Sequence, residues 1–391
     1  MDKIEEILTR GVETICPTKA ALEKVLRSGK KIRLYQGFDP SMPNLHLGHL
    51  VGILKLRQFQ ELGHEVIFLV GDFTGMIGDP TDKTAVRKRL SRQQVLENCR
   101  SWKKQAGKIL KFTGQNPAKF LFNSHWLAKI SFKDLIGISA HFTVQQMLDR
   151  DFFQRRLKTD RPIFLHEFLY PVAQAYDSVA MGVDLEVGGN DQIFNMLCGR
   201  TLIKALKNKE KFVLTTKLLV DSQGNKVGKT AGNALFLNVS PTEMYGAIMS
   251  FPDEVVPLAF ELLTSVPLNL IPKMKKTHPM KAKMQLAWEI VNNLYSAPKA
   301  NLAQKEFSRV FQKRETPRDL AIFKAKKATY SIIDLLIETK LASSRGEAKR
   351  LVAQKAVDLN SKAVTDSKKS IVIKNGLILQ VGKKRFIKIF K

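Results

Sequence analysis

Two histidines three residues apart flank a glycine in His46-Leu47-Gly48-His49. The segment follows Gly37-Phe38-Asp39-Pro40-Ser41, which reads as a strand turning into a helix. Residues three apart at a helix start share a face. The first N–H groups there have no intrahelical partner and favour an anion. Imidazoles so placed can donate hydrogen bonds to phosphate oxygens as charge shifts during a transfer, and Gly48 allows close approach to the backbone. A helix cap or a metal would use the same residue types. No Cys, Asp or third His lies at ligand spacing, so a metal ranks below a phosphate, and no protein-bound structural metal is expected.

The second cluster is Asp221-Ser222-Gln223-Gly224-Asn225-Lys226-Val227-Gly228-Lys229-Thr230. Lys226 and Lys229 offer mobile point charges to a polyphosphate. The segment is not a Walker A loop, because Gln223 stands where that pattern needs glycine and no helical pattern follows Thr230. Alone, it reads as a solvated surface loop. A third group, Tyr170, Gln174 and Asp177, has spacings of four and three and shares one helix face.

The elements that must position these residues follow an alternating rhythm. Residues 31–38, 65–71, 119–123, 184–187 and 211–220 read as strands, and 48–62 and 192–206 as helices. Short apolar runs separated by helices indicate a doubly wound parallel α/β sheet, whose ligands bind beyond the carboxyl ends of the strands. The clusters fall there. More helical, basic sequence over about 95–180 reads as an insertion. We expect a catalytic domain over 1–238, an α-helical domain over 239–315, a linker over 316–329 containing Pro317, and a small module over 330–391.

Sixty-four Lys+Arg against 36 Asp+Glu leave a net charge of +28. Such an excess concentrates polyanions near the surface and suits nucleic acid or an acidic membrane. A uniformly lysine-rich proteome would give the same figure, so placement decides. Hydrophobic residues at 44% and charged residues at 26% exclude general disorder. No apolar run approaches the ~20 residues of a membrane helix. The start, MDKIEEILTR, has no signal-peptide core. Cys16, Cys99 and Cys198 show no C-x-x-C pairing, which excludes a disulfide scaffold and fits a reducing cytoplasm.

The H-x-G-H and K-x-G-K-T segments together resemble the signature pair of class I aminoacyl-tRNA synthetases. The family's loop is usually K-M-S-K-S; Val227-Gly228 in its middle is similar to a variant among bacterial tyrosyl enzymes. Tyr35-Gln36-Gly37-Phe38-Asp39-Pro40-Ser41 resembles the tyrosyl-enzyme segment leading into H-x-G-H. Gly78-Asp79-Pro80 with Lys83 and Arg87 is similar to the family's mobile G-D-P stretch. The helix holding Tyr170, Gln174 and Asp177 matches one lining its amino-acid pocket, and Gly188-Gly189-Asn190-Asp191-Gln192 resembles its G-G-x-D-Q turn. Five motifs in this order over nearly the whole chain identify it as a member of the bacterial-type tyrosyl-tRNA synthetases.

The resemblance implies a Rossmann-like fold with a helical insertion at 95–180 serving as the homodimer interface. It implies L-tyrosine and ATP with Mg2+ as substrates, tRNA(Tyr) as partner, a helical domain on the anticodon side, a cytoplasmic location and no membrane. Tyr35 and Asp177 would partner the substrate phenol, whose burial without partners costs a few kcal/mol. Asp79, Tyr170 and Gln174 would hold its ammonium and Gln192 its carboxylate. Asp39, Gly189 and Asp191 would meet the ribose and the bound tyrosine, with Gly37 also at the nucleotide. Ser41, His46, His49, Lys83, Arg87, Lys226, Lys229 and Thr230 would stabilise the leaving pyrophosphate. Ser41 stands where the family often has Thr, and Gln36 and Gly52 where its ribose contacts vary. No protein nucleophile is implied, because the substrate carboxylate is already ionised and catalysis is positioning plus charge stabilisation.

In the last module, 331–339 reads as an apolar helix. Ser344 and Glu347 read as a capping box opening a helix that carries Arg345, Lys349, Arg350 and Lys355. Strand-like 356–360, a turn at 361–362 and a basic strand over 382–390 complete a small α+β unit. It resembles the S4 RNA-binding fold, which implies recognition of structured RNA by shape and charge, at the tRNA's long variable arm. A solvated charged face is the plainer fate of such a helix. A tryptophanyl relative would share the fold but needs no Tyr35/Asp177 pair and usually lacks this tail. A non-catalytic S4 protein would have no use for His46, His49, Lys226 and Lys229. Another adenylyltransferase would leave the lysine loop and the tail unexplained.

Overall fold

The computed structural model describes residues 2–80, 90–227, 229–230, 233–275, 277–309, 320–360, 362–382 and 385–391. At Asp151, Lys229, Thr230, Asn233, Lys275 and Ala321 only the backbone is described. The chain divides into two compact units, Met1–Asn301 and Leu302–Lys391.

The first unit is built on six strands: β1 (Val12–Cys16), β2 (Arg33–Phe38), β3 (Glu65–Val70), β4 (Lys119–Phe122), β5 (Leu185–Gly189) and β6 (Phe212–Thr216). Their order is β1-β6-β5-β2-β3-β4. All neighbours run parallel except β1, which lies antiparallel on β6 at the edge. Val66 to Val70 are buried without a break, as a strand covered on both faces requires. The order reverses between β5 and β2, where the ladder holds only Leu34↔Leu185 and Tyr35↔Glu186. Beyond Tyr35 the two strands part, and this switch point is where a parallel sheet opens a crevice.

The helix Leu47–Glu61 crosses from β2 to β3 and buries Leu50, Ile53, Leu56 and Phe59. Its Lys55 is also buried; the ammonium donates to the carbonyls of Ile7 and Arg10, both at 2.8 Å, where the helix Lys3–Thr9 ends. The expected insertion over 95–180 is divided by β4, which belongs to the sheet. Between β4 and β5 the chain is helical, ending in Leu165–Met181. The strand expected over 211–220 stops at Thr216. A short hairpin, β7 (Lys229–Thr230) and β8 (Asn233–Ala234), follows.

Ser240 caps the helix Pro241–Ile248 with Glu243 closing the box. Helices Val256–Leu263 and Pro279–Leu294 bury Phe260, Leu263, Leu286 and Ile290. This helical part, expected as a separate domain over 239–315, lies largely in the same compact unit as the sheet. Buried Arg10 ties them, donating to the carbonyls of Glu261, Thr264 and Val266.

The second unit holds β9 (Ala321–Lys324), β10 (Thr329–Ser331), β11 (Val357–Leu359), β12 (Lys362–Ala363), β13 (Ser370–Val372), β14 (Leu377–Val381) and β15 (Arg385–Phe390). One sheet has the order β12-β11-β14-β15-β9, and β10 pairs with β13. Helices Ile332–Glu338 and Arg345–Ala353 pack Leu335, Leu336, Ala348 and Val352 onto Leu379 and Ile389. The expected linker over 316–329 is corrected by β9, which lies parallel on β15. Its run Ala-Ile-Phe is short, and the surrounding lysines and Pro317 masked it. No helix among the described residues is long and apolar enough to cross a membrane.

Candidate active site

His46 is the N-cap of the helix Leu47–Glu61. Its Nδ1 accepts from the Gly48 amide at 3.1 Å, while its own amide donates to His49 Nδ1 at 3.1 Å. The cap and the phosphate reading are therefore compatible rather than exclusive. With both Nδ1 atoms accepting, each neutral ring carries its proton on Nε2. The rings stack with centroids 3.7 Å apart. A Cβ on Gly48 would lie 2.9 Å from the His46 ring, so the close approach that glycine permits is made by that ring.

The lysine loop returns to this helix start. The Leu47 amide donates to the Leu235 carbonyl at 3.0 Å, and the Leu237 amide to the Leu45 carbonyl at 2.8 Å. The residues just after the hairpin thus form an antiparallel ladder with the residues of H-x-G-H. Within the loop, the Asp221 carboxylate accepts from the amides of Gln223 and Asn225, tightening the turn. Lys226 Nζ lies 2.7 Å from Asp191 Oδ2 in the turn after β5. A Cβ on Gly189 would meet Asp191 Oδ1 at 2.6 Å. Lys229 and Thr230 are described by backbone alone, and Lys83, Arg87 and Gly228 lie outside the described residues.

The residues expected around tyrosine are joined in pairs. Asp39, at the end of β2, accepts from Tyr170 Oη at 2.8 Å and from Thr74 Oγ1 at 2.7 Å. Gln192 donates to Asp79 at 2.7 Å and accepts from Asn195 at 2.8 Å, which fixes its amide. Gln174 donates to Glu186 at 3.0 Å. Gly37 is exposed and Ser41 half-buried, the latter in a turn closed by its amide on the Asp39 carbonyl at 2.7 Å. Gln36 covers Gly52 so closely that a Cβ there would fall 2.0 Å from Gln36 Oε1.

Tyr35 and Asp177 are 1% and 2% exposed. Asp177 accepts from Trp126 Nε1 at 2.7 Å and Asn123 Nδ2 at 3.2 Å. Burial pushes its carboxyl well up, and those two donors oppose the shift. Trp126 also packs against the apolar cluster of Tyr35, Ile67, Leu69, Met181 and Val183, which links the two residues. Burial likewise raises the Tyr35 phenol, with the charges of Glu186 and Asp177 adding to it.

Behind Tyr35 lies a polar network with no counterpart in the sequence reading. Its hydroxyl is 3.0 Å from Ser178 Oγ. Lys211 Nζ donates to Ser178 Oγ at 2.8 Å, to the Met196 carbonyl at 3.1 Å and to Glu186, and the Lys211 and Glu186 side chains are 0% and 2% exposed. Burial pulls the ammonium down in pKa and Glu186 opposes that. A Cβ on Gly199 would fall 2.5 Å from Lys211 Nζ. Asn123, Trp126, Ser178, Glu186, Asn195 and Lys211 were all missed. Glu186 left a usable signal, being an acid inside the apolar strand Leu185–Gly189, where an unpaired charge is rare. Cys198, pushed up to about 12 by burial, offers no thiolate. Among the described residues no group of three or more His, Cys, Asp or Glu could hold a metal ion.

In the second unit, Arg345, Lys349, Arg350 and Lys355 are exposed, and Arg345 pairs with Asp334 at 3.0 Å. Lys355 is corrected: the helix ends at Ala353, and Lys355 stands beyond it with φ 55°. The capping box is also half-formed. Ser344 accepts from the Glu347 amide at 3.2 Å, but the Glu347 carboxylate turns to Ser343.

Residues 27–312 match the family of tRNA synthetases class I (W and Y). Residues 313–389 match the tyrosine–tRNA ligase SYY-like C-terminal domain. The chain is 42% identical over 394 residues to a tyrosine–tRNA ligase of Moorella thermoacetica, covering 98% of this chain and 94% of the relative. It is 41% identical over 387 residues to that of Aquifex aeolicus, covering 98% and 97%. Among solved structures, a C-terminally truncated mitochondrial tyrosyl-tRNA synthetase of Coccidioides posadasii superposes with a TM-score of 0.64 at 24% identity, covering 78% of this chain and 91% of that one. The tyrosyl-tRNA synthetase of Archaeoglobus fulgidus complexed with L-tyrosine gives 0.59 at 21%, covering 78% and 100%. Those two identities bear on the fold alone, whereas the near-complete matches at about 40% bear on descent. The chain belongs to the tyrosine–tRNA ligase family of class I tRNA synthetases.

Proposed function

We propose that this ATP-dependent tyrosine–tRNA ligase carries out both its steps over the crevice between β2 and β5. The tyrosine carboxylate attacks the α-phosphate of ATP, which brings Mg2+ with it as part of the substrate. Pyrophosphate leaves, and the terminal ribose hydroxyl of tRNA(Tyr) then attacks the adenylate carbonyl and releases AMP. Tyr35 and Asp177 hold the phenol; Asp79, Tyr170, Gln174 and Gln192 hold the backbone end of the amino acid. His46 and His49 offer Nε2–H donors, and Lys226 and Lys229 mobile cations, to the phosphates whose charge grows in the transition state.

The observation that carries this reading is the ladder between Leu45–Leu47 and Leu235–Leu237, with Lys226 on Asp191. It supports a single site for the histidine and lysine clusters beside the Tyr35 pocket. Pyrophosphate exchange driven separately by Tyr, Trp and Phe tests it; exchange with tryptophan in place of tyrosine would overturn it.

The second unit serves as the tRNA-binding appendage, supported by the exposed Arg345, Lys349, Arg350 and Lys355. A homodimer is supported by apolar side chains left in the open between β4 and β5. Phe132 and Leu165 are both 79% exposed, Val144 65% and Ile136 58%. Covering these side chains with a second copy would take their apolar area out of water. Sedimentation of the purified protein as a monomer would remove this assignment.

A further inference from the structure

Donor and acceptor capacity sets a direction in the network behind the pocket. An ammonium has three protons and accepts nothing. Those of Lys211 go to Ser178 Oγ, Glu186 Oε2 and the Met196 carbonyl. Ser178 Oγ, accepting from Lys211, has one proton to give. Tyr35 Oη at 3.0 Å is nearer to it than Glu186 Oε2 at 3.5 Å. Glu186 already accepts from Lys211 and Gln174, which favours the nearer Tyr35 as the acceptor of the Ser178 proton. With that proton on Tyr35 Oη, the Tyr35 hydroxyl keeps its own for the pocket. Asp177 is set the opposite way, because the groups bonding it, Trp126 Nε1–H and Asn123 Nδ2–H, are donors that hold the carboxylate as an acceptor.

We propose that Lys211 and Ser178 are positioning residues that turn Tyr35 into an obligate donor, so that tyrosine is distinguished from phenylalanine from beneath the pocket. This rests on the assignment of Tyr35 and Asp177 to the substrate phenol. The relay Lys211 → Ser178 → Tyr35 starts on a group that cannot accept, which fixes the direction of its first contact and leaves Ser178 one proton to pass on. Its outer end matches a hydroxyl that both accepts and donates, and leaves both wall groups unpaired against a bare ring. Gln174, bonded to the same Glu186, is braced by the same pair.

Ser178→Ala is the test, because it breaks the relay and leaves the Lys211–Glu186 pair intact. Tyrosine-dependent pyrophosphate exchange should lose about tenfold in kcat/KM, the scale of one buried hydrogen bond. The loss should fall on KM, because the contact is remote from the reacting atoms and alike in ground and transition states. Phenylalanine-dependent exchange should be unchanged, so the Tyr:Phe ratio drops. In a Tyr35→Phe background, Ser178→Ala should add nothing. An unchanged ratio, or an equal loss with both amino acids, overturns the relay. Failure of the unmutated protein to exchange with tyrosine would sink the pocket assignment instead. Should Ser178→Ala unfold by circular dichroism, Ser178→Cys, which refills the space with a poorer donor, carries the same readout.

Discussion

Lys226 Nζ lies 2.7 Å from the Asp191 carboxylate, which spans the lysine loop and the turn after β5. At 35% and 19% side-chain exposure the pair is half-solvated, so it contributes little stability and is readily exchanged for a polyphosphate. Lys226→Ala is therefore expected to slow adenylate formation by at least about tenfold while tyrosine binding stays within about twofold, as for a contact tightened in the transition state. Stopped-flow fluorescence against calorimetry separates the two, and equal losses would count against the role.

His46 combines a cap with a proposed phosphate donor, and substitution can separate these. Asparagine keeps N-cap capacity and alanine does not; the difference is about 1 kcal/mol of stability. His46→Asn should keep most of the melting temperature and lose the rate of adenylate formation, whereas His46→Ala should lose both. Equal melting temperatures for the two variants would show that the cap contributes nothing.

Asp177→Ala removes the acceptor for Trp126 and Asn123 as well as that for the phenol. Leaving buried donors unpaired costs about 1–3 kcal/mol, so the melting temperature should fall. Tyrosine binding should be lost. Retained micromolar affinity by calorimetry would refute the pocket assignment.

Lys55 gives a pH signature. Burial, with the neighbouring Arg10 charge adding, lowers its pKa from 10.5 to about 7. Between those values the unfolded chain binds more protons than the folded one, so stability rises with pH across the window and is lost again as pH falls toward 7. The slope is at most about 1.4 kcal/mol per pH unit. Urea unfolding of wild type and Lys55→Met at about pH 7.5 and about pH 9.5 isolates the effect. The wild-type advantage should grow with pH, and a constant difference would mean that Lys55 stays charged throughout.

Because β9 belongs to the sheet of the second unit, a truncation must end before it. A chain ending at Gln312 is expected to keep tyrosine-dependent pyrophosphate exchange and to lose most charging of tRNA(Tyr). Full charging by the shortened chain would remove the RNA-binding role.

Strands β2 to β6 and the position of the histidine helix were readable as segments, because β3 is an unbroken apolar run and His46-Leu47-Gly48-His49 follows a strand directly; β1 and the order of the strands were not. β9 was not readable, since three apolar residues among lysines carry no period. Lys355 was misplaced because helical spacing does not show where a helix stops, and its left-handed backbone lies past the end. The larger omission was the layer behind the pocket. Tyr35 and Glu186 are register partners across β2 and β5, and Lys211 precedes β6. Sequence separation hides such neighbours, because only the sheet order brings residues 35, 178, 186 and 211 together.

Gly199 is buried on the helix Ile193–Lys207, and a Cβ on it would fall 2.5 Å from Lys211 Nζ and 2.7 Å from Ser178 Oγ. On the proposed relay, a methyl group added there is expected to shift the Tyr:Phe ratio through Lys211 and Ser178 alone.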